Sequence, residues 1–211
     1  MLHKSADIIS KKTFELIQDL QREPAFSSFY LVGGTALALQ LGHRNSIDID
    51  LFTQEEFTTE SISDIINSKY KSVKDIYIRE NTIITLINNI KTDFIRHDYP
   101  LILPPITEEG ITMLSKEDIS AMKMHAIVQS GKRLKDFIDI YFLLEYLSLN
   151  QMIGFYAKKY SHSNPMIAVK ALNFFNDIDE AIDPPKMKKP IKLKAIISRI
   201  EKATMKPDMV F

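Results

Sequence analysis

Two aspartates, Asp48 and Asp50, occupy alternate positions in a short apolar segment that predicts a β-strand. Because successive side chains of a strand point to opposite faces, these two carboxylates project to the same side. Parallel carboxylates repel each other unless a cation lies between them. Hard oxygen ligands of this kind suit Mg²⁺, which usually also takes oxygens from a substrate phosphate. The spacing therefore predicts a metal site that is shared with a phosphorylated ligand.

A glycine pair, Gly33 and Gly34, precedes the aspartates and separates an apolar segment at residues 30–32 from a predicted helix. Glycines at a helix start leave backbone N–H groups uncovered, and the positive end of the helix dipole attracts a phosphate there. One element is thus predicted to hold phosphate and the next to hold metal. That combination is the chemistry of nucleotidyl transfer.

Sequence periodicity predicts the elements that position these residues. Residues 3–21 form a predicted helix, and Thr53, with Glu56 three residues later, is predicted to cap the helix after the aspartate strand. Three further strands are predicted over residues 73–80, 82–88 and 90–95. This order of elements indicates a mixed sheet with helices rather than a repeating βαβ array.

The second half of the chain follows a connector at residues 100–105 and has a helical pattern. Helices are predicted over residues 115–129, 134–147, 149–160, 164–176 and 190–203. The sequence therefore predicts an α+β fold with two parts. The first, residues 1–100, is an α/β core with a mixed β-sheet, and the second, residues 101–211, is a helical region.

The composition excludes several classes of protein. The 211 residues carry no net charge, so any contact with nucleic acid must come from local patches rather than from an overall field. The absence of cysteine excludes disulfides and thiolate metal ligands, and the five histidines show no metal-ligand spacing. No apolar run is long enough to span a bilayer, and the N-terminus lacks the apolar core of a signal peptide. A cytoplasmic protein without a membrane partner is expected.

The string GGTALALQLGHRNSIDIDLF, residues 33–52, resembles the AbiEii/AbiGii toxin branch of the DNA polymerase β-like nucleotidyltransferase superfamily. The resemblance implies a nucleotidyltransferase fold and a two-metal site for Mg²⁺, or Mn²⁺ in its place, with Asp48 and Asp50 as ligands. It also implies a set of nucleotide-binding residues: Gly33, Gly34, Thr35, Arg44 and Ser46. For Arg44 and Ser46 the alternative roles are a surface turn residue and a strand cap.

A third carboxylate, Asp93, lies between apolar neighbours in the strand predicted at 90–95. In the superfamily a carboxylate on a neighbouring strand binds the metal or takes the proton of the attacking hydroxyl, and Asp93 matches that position. The alternative is an outward-facing strand residue. Asp98 competes for the role, but it follows the strand in a turn-like segment.

The string LSKEDISAMKMHAIVQSGKRLKDFIDIYFLLEY, residues 114–146, resembles the second conserved block of the same family. The resemblance implies that Lys123 and Asp136 are catalytic-site residues and that the helical region completes the nucleotide cleft. For Asp136 the alternative is a residue favoured at a helix start. Asp139 has the alternative of an ion pair with Lys135. Family members carry an arginine in the loop before the aspartate, and Arg133 is its shifted candidate here.

Lys123 lies among apolar residues of its predicted helix, where a charge is unusual. Its ammonium is expected to face the triphosphate, and the alternative is a lysine whose stem covers the core surface. In the first case, Lys123→Met is expected to leave the thermal stability of the empty protein unchanged or higher. In the second case, a lower melting temperature with intact nucleotide binding is expected.

A basic strip follows near the C-terminus and is compatible with contact to an RNA backbone. It consists of Lys186, Lys188, Lys189, Lys192, Lys194, Arg199, Lys202 and Lys206, against a single Glu201. The alternative is a solvated face whose charge is neutralised by the acidic residues just upstream, at 177–183. No aromatic residues interleave with the strip for base stacking.

The predicted activity is transfer of a nucleoside monophosphate from a nucleoside triphosphate to a hydroxyl acceptor. By resemblance, the acceptor is a tRNA end and the protein is the toxin of a type IV toxin–antitoxin or abortive-infection system, with a cognate antitoxin as partner. Two alternatives compete with this interpretation. One is a non-catalytic protein that binds a nucleotide or a partner on the same fold, and the other is a nucleotidyltransferase that modifies a small molecule of the antibiotic type.

Overall fold

A computed structural model describes residues 1–211, which divide into two compact units. The first unit comprises residues 1–99 and 105–114, and the second comprises residues 100–104 and 115–211. All seven strands belong to the first unit, whereas the second unit contains helices only. The predicted α+β class with a mixed sheet is confirmed.

The sheet of the first unit has the strand order β3-β4-β5-β2-β1-β7-β6. Its strands are β1 (Tyr30–Leu31), β2 (Ile49–Thr53), β3 (Val73–Arg79), β4 (Thr82–Ile87), β5 (Ile90–Arg96), β6 (Ile106–Glu108) and β7 (Ile111–Met113). The pairs β2–β5 and β1–β7 are parallel, and the other neighbouring pairs are antiparallel. The strands predicted over 73–95 are confirmed to within one residue at each end.

Three α-helices accompany this sheet: α1 (Lys11–Gln21), α2 (Gly33–Leu41) and α3 (Thr59–Lys69). The prediction that the first helix starts at residue 3 is wrong, because the Ser10 hydroxyl accepts the Thr13 N–H and caps α1 there. The predicted helix cap at Thr53 is also wrong. Thr53 pairs with Arg96 in the β2–β5 ladder, so the strand continues through it and α3 begins only at Thr59.

The second unit contains five helices: α4 (Lys116–Gln129), α5 (Leu134–Leu143), α6 (Leu149–Lys159), α7 (Pro165–Leu172) and α8 (Leu193–Met205). The predicted start of α4 is confirmed, because the Ser115 hydroxyl accepts the Asp118 N–H at 3.1 Å. Two predicted helices are too long at their C-termini, since α5 ends at Leu143 and α7 ends at Leu172. None of the helices combines the length and apolar character needed to cross a membrane.

A buried ion pair fixes the 100–104 connector within the second unit. Lys159 Nζ lies 2.8 Å from Asp118 Oδ1 and donates to the Pro100 carbonyl at 3.0 Å. The Asp118 carboxylate also accepts the backbone N–H groups of Ile102 and Leu103. Both charged side chains are fully buried. The charge and hydrogen-bonding capacity of each are therefore satisfied by the other side chain and by the connector backbone.

Candidate active site

Two of the three predicted strand carboxylates lie side by side in the sheet. Asp50 on β2 is in register with Asp93 on the parallel strand β5. Paired residues of neighbouring strands point to the same face, about 5 Å apart. Asp48 precedes β2 by one residue and is partly exposed, as is Asp50. The topology thus places Asp48, Asp50 and Asp93 near one another in the first unit, and these three residues are called the acidic group.

The glycine pair forms the start of α2, directly against this acidic group. A Cβ added at Gly33 would clash with the Asp50 carboxylate, and one added at Gly34 would clash with the Arg44 guanidinium. Gly33 also has φ +67°, a left-handed conformation that residues with a side chain rarely adopt. No side chain caps the N-terminus of α2, so its first backbone amides remain suited to an anion.

The other three residues assigned to nucleotide binding, Thr35, Arg44 and Ser46, are buried. The Thr35 hydroxyl donates to the Asp48 carbonyl and lies 2.8 Å from the Ser46 hydroxyl. Thr35 and Ser46 therefore tie the start of α2 to the segment that enters β2. The Arg44 guanidinium lies beside Gly34 and donates to the Asn45 carbonyl at 3.0 Å. Direct contact of these residues with a nucleotide stays a prediction.

Asp93 is incompletely compensated in its buried position. Lys91, two residues earlier on β5, places Nζ 2.6 Å from Asp93 Oδ2. The second oxygen, Asp93 Oδ1, is buried and has no hydrogen-bond partner. A buried carboxylate oxygen without a partner is costly, and such exceptions require an explanation. Binding of a cation or an acceptor hydroxyl would satisfy this oxygen.

The acidic group fits a divalent metal in chemistry but is not closed around one. Its donors are the carboxylate oxygens that Mg²⁺ and Mn²⁺ accept, and Asp93 Oδ1 has a free coordination position. However, no three His, Cys, Asp or Glu side chains are grouped closely enough to hold a metal ion. Joint coordination by Asp48, Asp50 and Asp93 therefore requires these side chains to turn toward one another.

The second unit brings together a different set of predicted residues. Lys123 Nζ lies 2.8 Å from Asp136 Oδ1 and 2.8 Å from Asp139 Oδ2. All three side chains are buried, with at most 9% of each exposed. The alternative that Asp139 pairs with Lys135 is wrong, because Lys135 bonds Asp183 at 2.5 Å. Lys123 on α4 thus attaches α4 to α5, through Asp136 at the start of α5 and Asp139 in its middle.

Arg133, the candidate for the family's loop arginine, lies at the edge of this ion cluster. Its Nε is 3.9 Å from Asp136 Oδ2, and its Nη2 is 3.7 Å from Asp183 Oδ2. About half of its side chain is exposed. The Lys132 carbonyl also accepts the Asp179 N–H, so the loop before α5 is attached to the segment at 177–183. Arg133 is therefore in contact with the predicted aspartate from its shifted position.

One residue of these groups, Lys91, was not identified from the sequence. Lys91 occupies the same strand face as Asp93, and the alternation of β5 contained the signal needed to identify it. For Asp139 the sequence offered an ion pair with Lys135 as the alternative, because i, i+4 spacing favours that pair. Packing between α4 and α5 instead places Asp139 against Lys123. His125, which the sequence did not predict to be a metal ligand, stacks on Tyr160 with 4.1 Å between the ring centroids, and burial lowers its pKa.

Two sequence comparisons identify a family and a relative that this chain resembles. A family model described as "Nucleotidyl transferase AbiEii toxin, Type IV TA system" matches residues 15–208. An uncharacterized protein of Aquifex aeolicus is 35% identical over 180 residues, which cover 82% of this chain and 86% of that protein.

Two solved structures show the same fold. MenT4, a nucleotidyltransferase toxin from Mycobacterium tuberculosis H37Rv, has a TM-score of 0.62 at 14% identity, covering 92% of this chain and 84% of that chain. JHP933 from Helicobacter pylori has a TM-score of 0.57 at 14% identity, covering 95% of this chain and 93% of that chain. The predicted nucleotidyltransferase fold is confirmed.

Proposed function

We propose, since the chain belongs to the AbiEii family of nucleotidyl transferase toxins from type IV toxin–antitoxin systems, that it transfers a nucleoside monophosphate to a hydroxyl acceptor. The chain is a nucleotidyltransferase by this membership. The donor in the proposal is a nucleoside triphosphate, and pyrophosphate is released. The observation that carries the proposal is the position of Asp50, in register with Asp93 and directly against Gly33 at the start of α2.

Each part of this group has a proposed task. Asp48 and Asp50 hold the divalent metal, which when bound neutralises the phosphate charge and polarises the α-phosphoryl group. The amides of Gly33 and Gly34 bind phosphate oxygens, because the start of α2 carries no side-chain cap. Arg44, beside Gly34, adds positive charge at the same place. This arrangement binds and orients the triphosphate.

Asp93 serves the acceptor side in this proposal. As the acceptor oxygen forms its bond to the α-phosphorus, the bond from that phosphorus to the pyrophosphate oxygen breaks. The hydroxyl proton must leave at the same time, and Asp93 Oδ1 is a buried acceptor that has no other partner. Lys91 holds Oδ2 and thereby fixes the orientation of the carboxylate. The role as third metal ligand is equally compatible with this position.

The residues of the second unit are assigned by family membership. Lys123 and Asp136 are proposed to contribute to the nucleotide site, and completion of the nucleotide cleft by the helical region stays a prediction. Lys123 reaches a triphosphate only if it loosens at least one of its bonds to Asp136 and Asp139. Its contribution to nucleotide binding is therefore smaller than that of an ammonium without competing carboxylates.

The proposed partners follow from the same membership. We assign an RNA acceptor, with a tRNA end as the specific candidate, and a cognate antitoxin encoded with the toxin. The proposed location is the cytoplasm, where nucleoside triphosphates and tRNA are found. Modification of a small molecule, and binding without catalysis, are the alternatives that the experiment must separate.

Incubation with radiolabelled nucleoside triphosphates, one at a time, tests the proposal. Parallel reactions contain Mg²⁺ with total RNA or with a mixture of small hydroxylated acceptors such as aminoglycosides. Label in a discrete RNA band, with pyrophosphate in equal amount, supports RNA modification. Label only in the small acceptors supports the small-molecule alternative. Absence of pyrophosphate with every nucleotide and acceptor would leave a binding protein and overturn the proposal.

A further inference from the structure

We infer that the basic strip at residues 186–206 is a surface for the sugar–phosphate backbone of single-stranded RNA, used to hold the acceptor of the proposed reaction. This inference rests on the proposed function for its partner, but it stands on the charges and exposure of the second unit. The strip combines extended chain before α8 with the helix itself. Its seven lysines are exposed, whereas Arg199 is partly covered.

None of the acidic residues at 177–183 forms an ion pair with a lysine of the strip. Asp183, the nearest of them, contacts Lys135 at 2.5 Å and Arg133 at 3.7 Å. The Asp179 carboxylate accepts the Ala181 N–H, and its backbone is bonded to Lys132. Asp179 and Asp183 are therefore attached to α5 and the loop before it rather than to the strip. The exposed lysines of the strip form no ion pair.

Arg199 differs from the lysines because it makes contacts that stabilise the second unit. It donates to Glu145 at 2.7 Å and to the Tyr141 carbonyl at 2.9 Å, and its guanidinium stacks over the Tyr141 ring. These contacts attach α8 to α5. None of the seven lysines has a comparable set, so the stability of the unit does not account for them.

The local electrostatics at the start of α8 also oppose a structural role for two of the lysines, Lys192 and Lys194. The helix begins at Leu193 without a side-chain cap and without an acidic residue in its first turn. Lys192 and Lys194 lie instead at this positive end of the helix dipole, where positive charge is unfavourable. Positive charges that the fold does not use, and that destabilise the helix they flank, are explained by a polyanionic partner.

The chemistry of the strip selects the kind of contact. Lysine ammonium groups bind phosphates as mobile point charges and release condensed counterions from a nucleic acid. No aromatic residue lies within residues 186–206 to stack on bases. We therefore expect binding that depends steeply on salt and little on base sequence, as required of a surface that holds an acceptor strand while another site performs the reaction.

Fluorescence anisotropy of labelled 20-nucleotide RNAs tests this surface in the full chain. Titrations use two unrelated sequences, EDTA and no nucleotide, so that the metal site does not contribute, and salt from 50 to 200 mM. The variant is Lys188→Gln/Lys189→Gln/Lys192→Gln. The matched control is Lys12→Gln/Lys71→Gln/Lys74→Gln, which removes three exposed lysines from the first unit. Both variants change the net charge equally.

We expect the strip variant to weaken RNA binding about tenfold or more and to reduce the slope of log K against log[salt] by about 2, since each phosphate contact contributes about 0.7. The control should bind like the wild type. Equal loss in both variants would mean that only total charge matters, and an unaffected strip variant or a wild type that binds no RNA would also overturn the inference.

The experiment separates this inference from the proposed function. The variant Asp48→Ala/Asp50→Ala should bind RNA with wild-type affinity, because these residues lie in the first unit and outside the strip. RNA binding through the strip without nucleotidyl transfer would uphold the surface and remove the reaction. Transfer to a small acceptor without RNA binding would remove the surface and leave the reaction.

Discussion

The two units of the protein both assemble buried carboxylates, but they compensate them differently. In the helical unit, Lys123 bonds both Asp136 and Asp139 at 2.8 Å, and all three side chains are buried. In the sheet unit, Lys91 bonds only one oxygen of Asp93, and the other oxygen has no partner. A closed ion cluster contributes chiefly to architecture, whereas an open one retains the capacity to bind a ligand.

The largest expected effect is on stability and concerns the closed cluster. Lys123→Met should lower the free energy of unfolding by about 3–5 kcal/mol, because it removes the ammonium that contacts both buried carboxylates. This corrects the expectation, drawn from the sequence for a lysine that faces a triphosphate, that the substitution keeps or raises stability. Urea unfolding followed by circular dichroism measures the effect.

Two further variants control the Lys123 prediction. Lys170→Met, an exposed lysine of α7 without an ion pair, should change stability little. Adding Asp139→Asn to Lys123→Met should restore part of the loss, since it removes one of the two buried negative charges that the Lys123 ammonium balances. Wild-type stability of Lys123→Met would contradict the closed-cluster interpretation. It would instead favour the role of Lys123 as a residue that faces the triphosphate.

The next effect is on catalysis and concerns the open group. Asp93→Asn should slow turnover about a hundredfold or more, the scale of a lost base or metal ligand. Nucleotide affinity and stability should change little, because the amide keeps the shape and Lys91 is partly solvated. Asp98→Asn is the matched control, since Asp98 is exposed and bonds Arg96 outside the group. Normal turnover in Asp93→Asn would make Asp93 a structural strand residue.

The smallest effect concerns the counter-ion of the open group. Lys91→Met should tighten the binding of Mg²⁺ to the nucleotide-free protein by a few-fold, the range of a partly exposed ion pair. The reason is that the positive charge of the Lys91 ammonium, held beside Asp93, repels a metal ion bound at the neighbouring carboxylates. Calorimetric titration measures this change, with Lys74→Met on β3 as control. Weaker metal binding would show that Lys91 supports the site rather than repelling the metal.

Local sequence patterns were sufficient to predict β3, β4 and β5 and to place Asp50 and Asp93 on strands. The strands β3, β4 and β5 were predicted because each segment is rich in β-branched, aliphatic or aromatic residues and adjoins a polar turn with glutamate or asparagine. The β6–β7 hairpin was not predicted. Its strands have three residues each, too few for a period, and its turn depends on positive φ at Glu109 and Gly110.

Partner choice among charged side chains was not accessible from local patterns. The i, i+4 spacing of Lys135 and Asp139 made an ion pair between them the alternative role of Asp139, but packing of α4 against α5 places Asp139 2.8 Å from Lys123. Asp183 then becomes the partner of Lys135 across 48 residues of sequence. Such pairs depend on tertiary packing, which a single sequence does not specify.

The central claim is that the acidic group of the first unit performs nucleotidyl transfer, and the pyrophosphate release rate tests it most directly. The rate is measured for the wild type and for Asp48→Ala/Asp50→Ala with nucleoside triphosphate, Mg²⁺ and total RNA, after circular dichroism has verified that the variant is folded. We predict Mg²⁺-dependent release by the wild type and at least about a thousandfold slower release by the variant. Equal rates in the two folded proteins, or no release by the wild type with any nucleotide, would contradict the claim.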